Sequence, residues 1–316
     1  MLEKLLIELK NIEKDLHKLD SKAHAERCGG IERVLRDLKR SIKEDDDWDP
    51  ILGKMLASNY LKSLIFHLPY LSTRGKQDVR SFWLKALKSS NLKKNTENHL
   101  RENPEILIML MRGISCRESF CGEIMRTCLK LKSVHFLVLN SPLIWQLFQF
   151  VEASDFELSS DGFKIFQALM NRKNAEEKKY TFDFLMKNFE KFWSKFADLL
   201  MCDAYHVKRQ SLKLLSEILQ RRENFKLMVR YISVPENLHL MIDHLCVDDT
   251  REKGIKFEAF HVFKFFVANP KKGKPIINVL RLRKKEILRT LIEMRNQHEV
   301  AYGRELPLLV QRITEI

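Results

Sequence analysis

The sequence predicts an all-α protein made of stacked helical repeats, and three observations carry that prediction. Glycine and proline are scarce, at 10 and 8 residues in 316, well under the usual roughly 7% and 5%. Apolar residues recur at spacings of three and four, with no long alternation of period two. Finally, a helical pattern repeats: "GFKIF" (Gly162–Phe166), "SLKLL" (Ser211–Leu215) and "AFHVF" (Ala259–Phe263) begin 49 and then 48 residues apart.

Along the chain, the start "MLEKLLIELKNIEKDL" is amphipathic and carries acids, unlike a signal peptide or membrane anchor. Short polar breaks follow: "SIKEDDDWDP", "STRGKQ", "SSNLKKNTENHLRENPE", "MNRKNAEEKK", "VDDTREKG" and "NPKKGKP". "CGEIMRTCLKL" loosely matches an early repeat unit. Each of the three aligned segments is preceded by another apolar helix: "PLIWQLFQFV", "FEKFWSKFADLL" and "NLHLMIDHLC". The small first residue (Gly162, Ser211, Ala259) lets two helices approach, and the apolar positions after it fill the space between repeats. Units of just over 40 residues with two or three helices are those of HEAT and armadillo solenoids, so a right-handed α-solenoid is expected. The expected organisation is one repeat domain over 1–316. It comprises divergent N-terminal helices in 1–100, the clearest repeats in 103–291 and a capping helix in 292–316.

The six cysteines (Cys28, Cys116, Cys121, Cys128, Cys202, Cys246) form no C-x-x-C pair and nothing marks secretion. Free, buried thiols in a soluble, cytoplasmic protein are expected. No apolar run is long enough to span a bilayer. The net charge of +14 is concentrated in C-terminal runs such as "RLRKKEILR". It suits nucleic acid, an anionic surface or an acidic protein, or simply a solvated face.

Motifs for catalysis or metal binding fail on inspection. "EDDDWDP" alternates Asp45, Asp47 and Asp49 as a calcium loop would, but Pro50 stands where Gly is needed and Leu56 where a bidentate Glu is needed. "KKGKP" resembles the end of a phosphate-binding loop, yet Ala268 and Pro275 break the pattern. His239 and His244 are five apart, splayed around a helix, and His261 reads as a hydrogen-bonded structural residue. No catalytic, metal-binding or cofactor-binding residue is nominated, and a non-enzyme is expected.

The helix "VKRQSLKLLSEILQRRENF" (Val207–Phe225) holds the most informative charges. Lys208 and Arg209 sit near its N-terminal end, where the dipole disfavours cations, and Arg221 and Arg222 sit at its far end beside Phe225. In a solenoid, the last helix of each repeat lines the concave face, which places Lys164, Lys208, Arg209 and Lys213 on or near it.

"NPEILIMLMRG" (Asn103–Gly113), "YHVKRQSLKLLSEIL" (Tyr205–Leu219), "NFKLMVRYISVPENLHLMI" (Asn224–Ile242) and "FEAFHVFKFFVANP" (Phe257–Pro270) resemble the mouse protein 25 family. That family is also called calcium-binding protein 39. The resemblance runs from about Asn103 to Leu291 and is strongest after Ala204. It implies an armadillo-like, non-catalytic scaffold that binds kinases or pseudokinases of the Sterile-20 class and holds them in an active, closed conformation. In animals the family completes a trimer with a pseudokinase and a serine/threonine kinase; in fungi relatives serve cell polarity and separation. It also implies two contact zones. A pocket for the partner's Trp-Glu-Phe tail maps onto Arg222 and Phe225, and a concave face for the kinase-like domain maps onto Tyr205 and Arg209. Where the family carries Lys and Met in the tail pocket, this chain has His239 and Ile242, and a further Lys is replaced by Leu282. About three extra residues stand around "DDTREKGIK". Chemically, Phe225, Ile242 and their apolar neighbours would form a groove, with Arg222 supplying a charge-assisted contact to a carboxylate. The alternative is a basic solenoid that grips nucleic acid or another acidic partner. Its interleaved aromatics, however, read as repeat core rather than as exposed stacking platforms.

Overall fold

A computed structural model of the chain describes residues 21–42, 48–247, 252–297 and 305–316. Every regular element among them is helical. The chain divides into two compact units, the first ending at Leu169 and the second running from Met170 to Ile316.

In the first unit the helices are α1 (Ser21–Ser41), α2 (Trp48–Ala57), α3 (Tyr60–Phe66), α4 (Thr73–Lys88) and α5 (Lys93–Glu102). They are followed by α6 (Glu105–Ser115), α7 (Ser119–Cys128), α8 (Lys132–Leu139), α9 (Leu143–Val151) and α10 (Phe156–Met170). Two segments expected as breaks are helical. "STRGKQ" opens α4: the Ser72 hydroxyl accepts from the Gly75 N–H at 3.2 Å and caps the helix. "SSNLKKNTENHLRENPE" contains α5, a mostly polar helix that buries only the stripe Thr96, His99 and Leu100.

The core of this unit is built from inward stripes such as Val79, Phe82, Trp83 and Ala86 of α4. Within it the Trp83 indole N–H donates to the Leu61 carbonyl at 3.0 Å and the Ser159 hydroxyl to that of Val151 at 2.8 Å. Gly162 sits where a Cβ would stand 2.8 Å from Cβ of Phe150. The small first position of the repeat therefore brings α10 onto α9.

The second unit contains α11 (Ala175–Lys187), α12 (Phe189–Met201), α13 (Tyr205–Gln220), α14 (Phe225–Tyr231) and α15 (Pro235–Leu245). After them come α16 (Lys253–Ala268), α17 (Lys274–Leu282), α18 (Lys284–Gln297) and α19 (Glu305–Glu315). The repeat pattern explains its core. Ser211 and Ala259 are fully buried, as are Leu212, Leu215, Phe260 and Phe263, whereas Lys213 at the third position is exposed. Aromatic rings meet edge to face through the unit, with Trp193 and Tyr231 centred 4.8 Å apart and Tyr231 and Phe266 6.2 Å apart.

Side-chain bridges between helices recur at about one repeat length. In the first unit they join Lys39 to Asp78, Lys76 to Glu118, Arg80 to Glu123 and Arg126 to Asp161, over separations of 39, 42, 43 and 35 residues. In the second, Arg230 meets Glu190, Arg283 meets Asp243 and Lys264 meets Glu305, over 40 or 41 residues. Each such pair contributes little alone, about 0–1 kcal/mol. Their regular spacing nonetheless shows equivalent positions of successive repeats brought side by side.

The cysteines are free, as expected, but not all are buried: Cys116 is exposed and Cys202 and Cys246 are half-buried. Cys116 follows the last turn of α6, outside the buried stripe of that helix. Among the described residues no single helix is long and apolar enough to cross a membrane. The amphipathic start and Asp45 and Asp47 of the rejected calcium loop lie outside the described residues. Among those described, no group of three His, Cys, Asp or Glu side chains is placed to hold a metal.

Candidate functional site: an exposed aromatic turn and a cationic helix face

The turn after α13 separates two adjacent arginines. Arg221 leaves the helix in an extended conformation, and its guanidinium donates to the Met170 carbonyl at 2.8 Å and to the Asn171 side chain. Burial pushes its pKa down, with Glu223 and Glu217 acting the other way. Arg222 opens a short 3-10 turn (Arg222–Asn224), its carbonyl accepting from the Phe225 N–H; its guanidinium is exposed and makes no hydrogen bond or ion pair among the described residues.

The turn is held from below and from the side. Asn224 is buried and donates to the Ile218 carbonyl at 2.8 Å. Glu223 pairs with Lys178 at 3.0 Å; a backbone hydrogen bond, then Lys178 and Arg221, hold its carboxyl below the usual range. Phe225 therefore starts α14 with 61% of its surface exposed, and Val229, one turn on, is also exposed. A helix-start phenylalanine would ordinarily be core. Here the exposed aromatic and the unpartnered Arg222 share one turn.

His239 on α15 is half-buried and offers surface. Ile242 does not. It is fully buried on the stripe Leu238, Met241, Ile242 and Leu245 of a helix that packs on α16, α17 and α18. Its expected place in a peptide groove is thus corrected: it belongs to the repeat core. Leu282, at the position of a family lysine, is 80% exposed at the end of α17.

Tyr205 and Arg209 lie on α13 at a spacing of four, with Lys213 next in line. Tyr205 is 40% exposed and Arg209 exposed. Lys208, by contrast, is drawn to Glu252 at 3.9 Å. Nearby His244 is buried and its pKa is pushed down to about 4, by burial first and by Lys208 second, with Asp243 opposing. His261 packs edge-on against Phe257, ring centres 4.5 Å apart, and the expected side-chain hydrogen bond does not occur among the described residues.

Two residues that the sequence reading did not single out complete this face. Gly254 and Glu258 on α16 stand opposite Tyr205 and Arg209, 49 residues further along in each case. The repeat spacing was the signal that could have found them.

A polar recess of about 670 Å³ in the first unit is lined by Lys39, Lys76, Arg80, Glu118, Arg126 and Asp161, among others. Its cations are matched by carboxylates: Lys39 by Asp78, Lys76 by Glu118, Arg80 by Glu123 and Arg126 by Asp161.

Comparison with known proteins decides the family: the Mo25-like family model matches residues 4–316. The chain belongs to the Mo25-like family. It is 31% identical over 300 residues to a mouse calcium-binding protein 39-like protein, covering 90% of this chain and 86% of that one. It is 35% identical over 268 residues to an Mo25-like protein of Schizosaccharomyces pombe, covering 82% and 79%. Among solved structures, an engineered protein aligns over 97% of this chain and 68% of its own, with a TM-score of 0.51 and 11% identity. That likeness concerns the helical fold alone. The Mo25-like assignment fits an all-α, armadillo-like protein of scaffold type.

Proposed function

We propose that this chain is a non-catalytic scaffold for a kinase or pseudokinase of the Sterile-20 class. It would capture the client's Trp-Glu-Phe tail at Arg222, Phe225 and His239 and hold the client's folded domain against Tyr205 and Arg209. Tighter affinity for the closed, active form then shifts the client toward that form, with no chemistry done by the scaffold. A serine/threonine kinase would join in a ternary complex, and the setting would be cytoplasmic signalling linked to cell polarity. The observation that carries the reading is the exposure of Phe225 beside Arg222. Burial of a phenylalanine is worth about 1.5–3 kcal/mol; leaving it in water one turn from an unpartnered cation suits an aromatic-and-carboxylate tail.

The second reading, a basic solenoid on nucleic acid, is favoured by the charge of +14. The matched cations of the recess in the first unit weigh against it, because paired charges release few counterions.

A titration of the protein with a tailed Sterile-20-class pseudokinase and with double-stranded DNA, at about 50 and 200 mM salt, separates the two. Pseudokinase binding that changes less than about tenfold across that range supports the scaffold. DNA binding alone, falling about a thousandfold or more, supports the rival.

A further inference from the structure

We propose that Gly254 and Glu258 of α16 are positioning residues, which fix Tyr205 and Arg209 in the arrangement that the docking face presents to a folded client domain. The inference rests on the reading of that face given above.

The steric part begins at Gly254. It lies in the first turn of α16 without a left-handed backbone, so conformational freedom does not explain the glycine. Space does. A Cβ there would stand 2.5 Å from the Tyr205 hydroxyl, 3.0 Å from Nε of Arg209 and 3.2 Å from its Cδ. Both side chains rest on the bare backbone, and any other residue would push them off.

The electrostatic part lies one turn further along the same helix. Glu258 is nine-tenths buried, at 8% exposure, yet makes no ion pair or hydrogen bond among the described residues. A carboxylate on a largely buried side chain, with no direct partner, is disfavoured, and a packing role alone would be met better by glutamine or an apolar residue. The opposite charges acting on it are Arg209 and Lys213 across the α13–α16 contact, with Glu217 opposing. Burial raises its pKa, the mark of a carboxylate kept where it is not comfortable. The line Tyr205, Arg209, Lys213 on α13 thus faces the line Gly254, Glu258 on α16, each at a spacing of four. The glycine opens the seat, and the glutamate draws the cations toward it.

The test uses the full chain and, as probe, a Sterile-20-class pseudokinase domain lacking its C-terminal tail, so that only this face is read. Gly254→Ala and Glu258→Gln should each weaken binding by about tenfold, the size of a lost contact to a charged group. Glu258→Asp should retain part of the affinity. Thermal midpoints should stay within about 3 °C of wild type, with Glu258→Gln no lower than wild type. Both losses should vanish when measured in the Arg209→Ala background, because the two residues act through Arg209. Losses that add to that of Arg209→Ala, or that track a falling midpoint, would overturn the proposal. Should Arg209→Ala itself bind like wild type, the docking-face reading fails, and positioning is then read without a client. The Arg209 Nε–H resonance, assigned with Arg209→Lys, should move toward that of a free arginine in Gly254→Ala and Glu258→Gln. An unchanged resonance would reject positioning on its own.

Discussion

Arg221 and Arg222 are neighbours in the chain with opposite fates. Arg221 is folded back onto the Met170 carbonyl at 2.8 Å, while Arg222 stands exposed and unpartnered among the described residues. The charges at the far end of α13 therefore divide into one structural arginine and one available arginine. At the near end the division recurs: Lys208 turns to Glu252 and Arg209 remains on the surface.

This contrast predicts different costs for two adjacent substitutions. Arg221→Ala strips the donor from a half-buried carbonyl and an amide, and should destabilise the chain by about 1–3 kcal/mol. Arg222→Ala should change stability by less than about 0.5 kcal/mol. Denaturation midpoints of the two variants check it.

Buried His244 predicts an acid-sensitive step. Its folded pKa of about 4 lies below the ordinary 6.5, so its contribution is fully present above 6.5. Stability is then lost as pH falls from 6.5 toward 4, because the unfolded chain takes up the proton first. The loss is at most about 3 kcal/mol. His244→Phe should flatten that part of the stability–pH curve, measured by urea unfolding between pH 4 and 7.

Two glycines predict opposite signs. Alanine at Gly162 must displace Phe150, whose Cβ would be 2.8 Å away and whose backbone 3.2 Å; a loss of about 1–3 kcal/mol is expected. Alanine at Gly29, an exposed helical position with nothing within 4 Å of a Cβ, should gain up to about 1 kcal/mol. Parallel denaturant titrations compare them.

Thiol accessibility predicts an order of alkylation. Cys116 should react with a charged maleimide in the native state well before the others. Burial pushes Cys28 up to about 11 and Cys121 up to about 12, and Cys128 is raised further. Mass spectrometry of a timed labelling gives the order, and early modification of Cys121 or Cys128 would count against the packing described.

The repeat was legible because it is written in residue types: a small residue, then two faces of apolar ones, at Gly162, Ser211 and Ala259. Helix α5 was hidden because its polar sequence buries only three residues, too few to mark a period. The start of α4 was hidden because Ser72, Thr73 and Gly75 are turn-forming types that here serve as a cap. At the candidate site, Arg222 and Phe225 could be named from family likeness, but their exposure could not be read from their types. Ile242 was misplaced because spacing does not fix burial: His239 and Ile242 lie three apart on one side of α15, yet His239 keeps surface while Ile242 is fully buried. Gly254 and Glu258 act across a repeat boundary, which a local pattern does not mark.

The central claim is that the turn at Arg222 and Phe225 captures an aromatic-acid-aromatic tail. Titration of a fluorescent peptide ending in Trp-Glu-Phe against wild type, Arg222→Ala and Phe225→Ala, with circular dichroism to verify folding, tests it directly. Saturable binding that is lost in both folded variants is the predicted result. A peptide that binds the three proteins equally, or none of them at high micromolar protein, would contradict it.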